Sequence, residues 1–173
     1  LRPGIDVIER LGGIHAFTGW HRPILTDSGG YQVWSLSPLR KMSREGGTFK
    51  SHLDGSMVRF TPESVAESQA RMGVDIAMVL DECPPYPIEK ADAEKSLDLT
   101  NHWAERARRA WPDDAPGGLF GIVQGSVFED LRLRAARELS ELDFAGYAVG
   151  GVSVGEGVEH RRFAVEVATP ALP

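Results

Sequence analysis

Four polar segments of this sequence share one kind of placement. Asp27, Asp81, Gln124 and the pair Gly150-Gly151 each stand at or just beyond the end of a short apolar run: Ile24-Leu25, Asp75 to Leu80, Leu119 to Val123, and Phe144 to Val149. Taken singly, each is as readily a cap or a turn residue. Taken together they form a set of donors and acceptors. The two carboxylates accept, the Gln124 amide accepts and donates, and the Gly151 N–H is a donor that no side chain shields. Such a set suits a flat polar ligand, with Tyr31 available to stack on its face.

A purine with guanine's edge presents adjacent N–H donors beside a carbonyl acceptor. Carboxylates for the N–H groups, with an amide and a backbone N–H for the carbonyl, make a matching receptor. A sugar or a pterin could use the same groups, and these residues alone do not choose between them. Other chemistries fail on spacing. Asp27-Ser28-Gly29-Gly30 is not a G-x-S-x-G nucleophile elbow, and Gly150 to Gly157 lacks the Lys-Ser/Thr of a phosphate loop. His15, His21, His52, His102 and His160 show no paired ligand spacing and Cys83 stands alone, so no metal site is expected within the chain. His102, beside Trp103, reads as an ordinary helix residue.

Positioning these residues requires strands and helices in alternation. The apolar runs suit strands covered on both faces, as in a parallel sheet. Between them, Thr61-Pro62 opens a helix that ends near Gly73. Ala93, Leu97, Thr100, Ala104, Ala107 and Trp111 lie on one helix face; Phe128, Leu131, Ala135, Leu139 and Leu142 lie on another. A last helix covers Val158 to Ala168. The alternation predicts an α/β fold whose strand ends open on one mouth. One stretch interrupts it. Thr48 to Phe60, with Asp54-Gly55 at its centre, reads as a β-hairpin.

Composition bounds the reading. The 173 residues carry 19 Lys and Arg against 25 Asp and Glu, a formal charge of −6. Apolar residues make up 42% and charged residues 25%, which is globular rather than disordered composition and enough for one sizeable core. No apolar run approaches the ~20 residues of a membrane span, and the N-terminus lacks a signal-peptide pattern. A single cysteine excludes an internal disulfide framework and fits a reducing cytosol. The acidic balance argues against a generic nucleic-acid binder. From Arg40 to Arg59, however, the local charge is +3, and a polyanionic substrate would meet this stretch with its phosphates. Arg106, Arg108 and Arg109 read as surface charge. The chain starts Leu1-Arg2-Pro3-Gly4 without Met and stops soon after a helical pattern, so a segment of a longer protein is expected.

Longer motifs surround the candidate residues: Asp27-Ser28-Gly29-Gly30-Tyr31-Gln32-Val33, Asp81-Glu82-Cys83-Pro84-Pro85-Tyr86-Pro87, Gly121-Ile122-Val123-Gln124-Gly125, and Val149-Gly150-Gly151-Val152-Ser153-Val154-Gly155-Glu156. In that order, and together with Leu11-Gly12-Gly13-Ile14-His15, they resemble the bacterial tRNA-guanine transglycosylases, also called queuine tRNA-ribosyltransferases. The resemblance covers essentially the whole chain.

The resemblance implies a partial (β/α)8 TIM-type barrel with an inserted β-hairpin. Residues 1–173 would be the central segment of one catalytic domain, with the rest of the barrel and a zinc subdomain outside the chain. It implies a cytoplasmic homodimer, with no membrane association, that exchanges the wobble guanine of a tRNA anticodon for a 7-deazaguanine in queuosine biosynthesis. Asp27 matches the general acid/base. Asp27, Ser28, Gly29, Gly30 and Tyr31 match the substrate loop, Tyr31 standing where many relatives have Phe. Asp81, Cys83, Gln124, Gly150 and Gly151 match the base pocket. Val154, where eukaryotic relatives carry Gly, favours the compact 7-aminomethyl-7-deazaguanine over a bulkier base; Ser153 departs from the more usual bacterial Ala. The nucleophilic aspartate and the Zn2+ ligands would lie beyond Pro173, which makes the segment inactive alone. The rival readings are a non-catalytic barrel paralogue or subunit that binds tRNA or a purine-like base, and another barrel enzyme of purine or pterin metabolism.

Overall fold

Thr61 opens a helix because its hydroxyl and that of Ser64 satisfy each other's backbone. Thr61 Oγ1 accepts from the Ser64 N–H at 3.1 Å, and Ser64 Oγ accepts from the Thr61 N–H at 3.0 Å. Pro62 fills the first turn, and Gly73, at φ 71°, stops the helix in the left-handed conformation. The structure, a computed structural model, describes residues 3–29, 41–51 and 55–173. In chain order its elements are α1 (Ile5–Arg10), α2 (Gly13–Thr18), β1 (Leu25–Thr26), β2 (Lys41–Ser43), β3 (Gly46–Lys50), β4 (Met57–Phe60), α3 (Pro62–Met72), β5 (Ile76–Met78), α4 (Lys90–Ala110), β6 (Gly118–Val123), α5 (Glu129–Ser140), β7 (Gly146–Val149) and α6 (Val158–Ala168), followed by a 3₁₀ turn over Thr169–Ala171.

The strands β1, β5, β6 and β7 form one parallel sheet in that order. Thr26 sits opposite Ala77, Met78 opposite Phe120, and Val123 opposite Val149. The α/β reading with a parallel sheet holds, and each expected apolar run supplies one of its strands. A second sheet is antiparallel, in the order β2-β3-β4. Its β4 and the end of β3 fall in the stretch read as a hairpin, with Lys50 opposite Met57, while β3 begins two residues earlier, at Gly46; Asp54 lies outside the described residues. The sequence reading had no counterpart for β2, α1 or α2.

The core lies between the parallel sheet and the helices that follow its strands. α4 buries Ala93, Leu97, Thr100, Ala104 and Ala107, the face its spacing predicts, and α5 buries Leu131, Ala135 and Leu139. Removing side chains of this size from water stabilises by roughly 1.5–3 kcal/mol for each large aliphatic residue. The antiparallel sheet is tied to α4 through the Arg44 carbonyl, which accepts from Trp103 Nε1 at 3.1 Å and from Arg106 Nη1. Arg106 is therefore not the surface charge expected of it. Its side chain is 19% exposed and grips Glu63 with two hydrogen bonds, at 2.7 and 2.9 Å, so it joins α3 to α4. Arg109 is exposed, and Arg108 reaches the Asp143 carbonyl at 3.1 Å.

Candidate functional site

Parallel neighbours end on the same side of a sheet. The residues beyond β1, β5, β6 and β7 accordingly meet around a cavity of about 280 Å³, bordered by Asp27, Ser28, Asp81, Cys83, Gly150 and Gly151. Val154 also lines it. Gly29 lies against the Phe60 ring, where an added Cβ would come within 3.0 Å. Gly30 and Tyr31 lie outside the described residues. Gln124 stands behind the lining rather than on it. It is fully buried, and its Nε2 donates to Asp81 Oδ2 at 2.8 Å. Its Oε1 has no hydrogen-bond partner among the described residues.

The two glycines are needed for close approach. An added Cβ on Gly151 (φ 62°) would overlap Gln124 Oε1, and one on Gly150 would overlap Ile122 Cγ2 and stand 2.9 Å from Gln124 Nε2. The backbone therefore lies directly on the amide.

Burial pushes the Asp81 carboxyl up to about 6, and the Asp27 charge adds to the rise, while the Gln124 hydrogen bond pulls the other way. At neutral pH the result is a carboxylate with little water around it and a strong demand for donors. Burial and the Asp81 charge push the Cys83 thiol up to about 11, even though the nearby Gly151 backbone N–H favours the thiolate. A thiol with that value is a weakly polar wall, not a nucleophile.

Several supports of this site carried no functional signal in the sequence reading. Gln69 of α3 is buried between β1 and β5. Its Oε1 accepts from Thr26 Oγ1 at 2.8 Å and the Met78 N–H at 3.2 Å, and its Nε2 donates to the Met78 carbonyl at 2.9 Å. Arg132 of α5 does the same between β6 and β7, donating to the carbonyls of Val123, Ser126 and Gly150 at 3.2, 2.7 and 2.9 Å. From α4, Ser96 Oγ donates to the Glu82 carbonyl and Thr100 Oγ1 accepts from the Glu82 N–H, both at 2.9 Å, fixing the loop between Asp81 and Cys83. Glu156 accepts from the Ser153 N–H, and from the Val154 N–H at 2.8 Å, which holds the far wall. Gln69 and Arg132 did leave a trace. Each is a long polar residue inside the apolar stripe of its helix, Gln69 at four past Val65 and Arg132 at three before Ala135.

Asp27 is exposed and borders a second cavity, of about 320 Å³, with Arg59, Phe60 and Ser64 on its wall. It thus stands between the two hollows. Arg59 of β4 is the part of the basic stretch that reaches this wall. Arg44 is committed elsewhere, its Nη2 lying 3.0 Å from His102 Nδ1; Arg40 lies outside the described residues. Among the described residues no group of three or more His, Cys, Asp or Glu is placed to hold a metal ion, and no helix is long and apolar enough to cross a membrane.

A wall of glycine backbone and buried carboxylate, backed by an amide and with an open carboxylate beside it, is what a site for a flat heterocycle with mixed donors and acceptors requires. The profile of the queuine tRNA-ribosyltransferase family matches residues 1–173, and the chain belongs to that family. A queuine tRNA-ribosyltransferase of Desulforudis audaxviator is 53% identical over 173 residues, and one of Ruminiclostridium cellulolyticum is 50% identical over 173 residues. A third, of Desulfosudis oleivorans, is 52% identical over 176 residues. The matches cover 100% of this chain and 46% of each relative, so the chain spans about half the length of the curated relatives it matches.

Proposed function

We propose that this chain carries the base-binding part of a tRNA-guanine transglycosylase, which replaces guanine in the anticodon of tRNA by a 7-deazaguanine. The observation that carries the reading is the convergence of Asp81, backed by Gln124, and the Gly151 N–H on one cavity with Asp27 at its edge. The Asp81 carboxylate takes the base's N–H donors, and the Gly151 N–H takes its carbonyl. Gln124, buried behind this wall, holds the Asp81 carboxylate for those contacts. The chemistry is double displacement. An aspartate outside this chain attacks the anomeric carbon of the ribose and forms a ribosyl ester, and guanine leaves with the electron pair of the glycosidic bond. The incoming base then attacks the same carbon and expels the aspartate. Asp27 relays the protons that the leaving base gains and the entering base loses. The target nucleotide must leave its stack to reach the cavity.

The wider architecture follows the same reading. The parallel sheet is part of a (β/α)8 barrel, the β3–β4 hairpin is an insertion in it, and the intact protein is a cytoplasmic homodimer. The residues present do not supply the zinc site that the family resemblance implies, and no step here runs through zinc. Val154 on the cavity wall favours a base with a small 7-substituent such as aminomethyl. The test is exchange of radiolabelled guanine into tRNA by the full protein that contains this chain. The wild type should exchange, and Asp27→Asn should lose about 10²–10⁴ in rate while staying folded, since an amide keeps the shape but cannot take the proton. Exchange at an undiminished rate would remove Asp27 from its role.

A further inference from the structure

Arg132 is an unusual occupant of a helix face. It is fully buried, and among the described residues no carboxylate forms an ion pair with it. Burial lowers its pKa only to about 10, so it remains a cation at neutral pH. Its hydrogen-bond partners are carbonyls: Ser126 through Nε, Val123 through Nη1, Gly150 through Nη2 at 2.9 Å, and Gly151 more distantly at 3.5 Å. A buried charge is costly unless its donors are satisfied. Here they are satisfied by the strand ends that build the site.

The Gly150 carbonyl and the Gly151 N–H belong to one peptide unit. In a trans peptide they point in opposite directions. Holding the carbonyl toward Arg132 therefore aims the N–H away from Arg132, to the side of Cys83, which lines the cavity with Gly151. Sulfur is a weak acceptor, so the Cys83 thiol competes little with a ligand oxygen for this N–H. A cation on the carbonyl of an amide also polarises the unit and strengthens its N–H as a donor. Without a Cβ at either glycine, this peptide would otherwise be free to turn over.

We propose that Arg132 is a positioning residue for ligand recognition: it orients and polarises the Gly150–Gly151 peptide and so sets the strength of the N–H that reads the carbonyl of the bound base. The proposal rests on the reading of the cavity as a guanine site. Ser126, a non-glycine residue held at φ 49° with its carbonyl on Arg132 Nε, is part of the same clamp, because the guanidinium fixes both ends of the turn at once.

The test compares guanine with 6-thioguanine, which keeps the N–H edge but replaces the carbonyl oxygen by a poorer acceptor. Binding of both bases is measured by calorimetry on the full protein that contains this chain, as wild type, Arg132→Gln and Arg132→Lys, with thermal unfolding as a check of the fold. The wild type should prefer guanine. Arg132→Gln should lose about tenfold in guanine affinity, the scale of one hydrogen bond, while 6-thioguanine affinity changes little, so that the preference collapses. Arg132→Lys, which keeps the charge but has one head for several carbonyls, should fall between. If Arg132→Gln fails to fold, the lysine variant carries the comparison. An equal loss for both bases, or an undiminished preference in the folded variant, overturns the proposal. A wild type that binds neither base, or shows no preference, overturns instead the reading of the cavity on which it rests.

Discussion

Gln124 donates its Nε2 to Asp81 Oδ2 at 2.8 Å, and the other end of the same amide, Oε1, faces Gly151 with no hydrogen bond among the described residues. The carboxylate thus decides which way the amide points. While Asp81 is charged, Nε2 must face it; once Asp81 is protonated or its charge is met by a ligand's N–H groups, the amide is free to turn its donor toward Gly151. On the proposed reading of the cavity, base recognition and amide orientation would be coupled through this one contact.

That carboxylate is also a stability liability. Its folded pKa of about 6 lies above the ordinary 3.8. Between these values the folded protein keeps a proton that the unfolded chain has released, so stability is fullest below about pH 4, falls as pH rises through about 6, and then levels. The penalty at neutral pH is about 1–3 kcal/mol, the lower end applying because Asp81 retains some contact with the cavity's water. Asp81→Asn should therefore be more stable than wild type at pH 8 and no more stable near pH 4, by urea unfolding at both. It should also bind the base more weakly, and wild-type affinity should decline below about pH 6. A variant less stable than wild type at pH 8 would show that the carboxylate carries no such penalty.

The strands of the parallel sheet were legible because each apolar run is short and ends in a polar or glycine-rich segment, and Asp27, Asp81 and Gly150 were legible as candidates with them. Thr61, Pro62 and Gly73 fixed one helix through local chemistry alone. α1 and α2 were not legible. Each has six residues, with one buried side chain in α1 and none in α2, so no periodic pattern forms. The support from Gln69 and Arg132 was missed for a different reason. A polar residue on an amphipathic helix reads as solvent-facing unless its phase is checked against the apolar stripe. Arg106 shows the same error, since its neighbours Arg108 and Arg109 made it look like one of a surface group.

Gln69 offers a test of how far positioning extends from the strands to the site. Gln69→Leu keeps the bulk but strips partners from the Thr26 hydroxyl and from the Met78 N–H and carbonyl. Leaving such groups buried and unpaired costs about 1–3 kcal/mol. The loss should appear in urea unfolding. Because β1 and β5 lead into Asp27 and Asp81, base affinity should fall as well. Unchanged stability would mean that water reaches these groups.

Gly151→Ala should be more damaging than a methyl group usually is. The residue sits at φ 62°, a conformation that costs alanine on the order of 1–2 kcal/mol, and the new Cβ would overlap Gln124 Oε1. The variant must either displace the amide from Asp81 or turn the peptide. In both cases base affinity should fall by at least about tenfold, the loss of a hydrogen bond. Calorimetry with guanine is the measurement. Near wild-type affinity would mean that the backbone at this position does not touch the ligand.

Arg59 separates the two halves of the proposed substrate. It lies on β4, exposed, on the wall of the second cavity beside Asp27, and among the described residues its nearest acidic partner, Glu45, is 3.9 Å away. An exposed pair at that distance holds the side chain only weakly, so the guanidinium remains available to an anion. A ribose whose base occupies the first cavity would have its phosphates on this side of Asp27. Arg59→Ala in the full protein should therefore weaken tRNA binding at low salt and flatten the plot of log affinity against log salt by about one unit of slope, the signature of one lost phosphate contact. Free-base affinity should stay unchanged, because the residue does not border the cavity of Asp81 and Gly151. The measurement is tRNA binding across a salt series, paired with calorimetry of the base. If base affinity dropped while the salt slope held, Arg59 would belong to the base site, and the phosphates would have to be met elsewhere on the basic stretch.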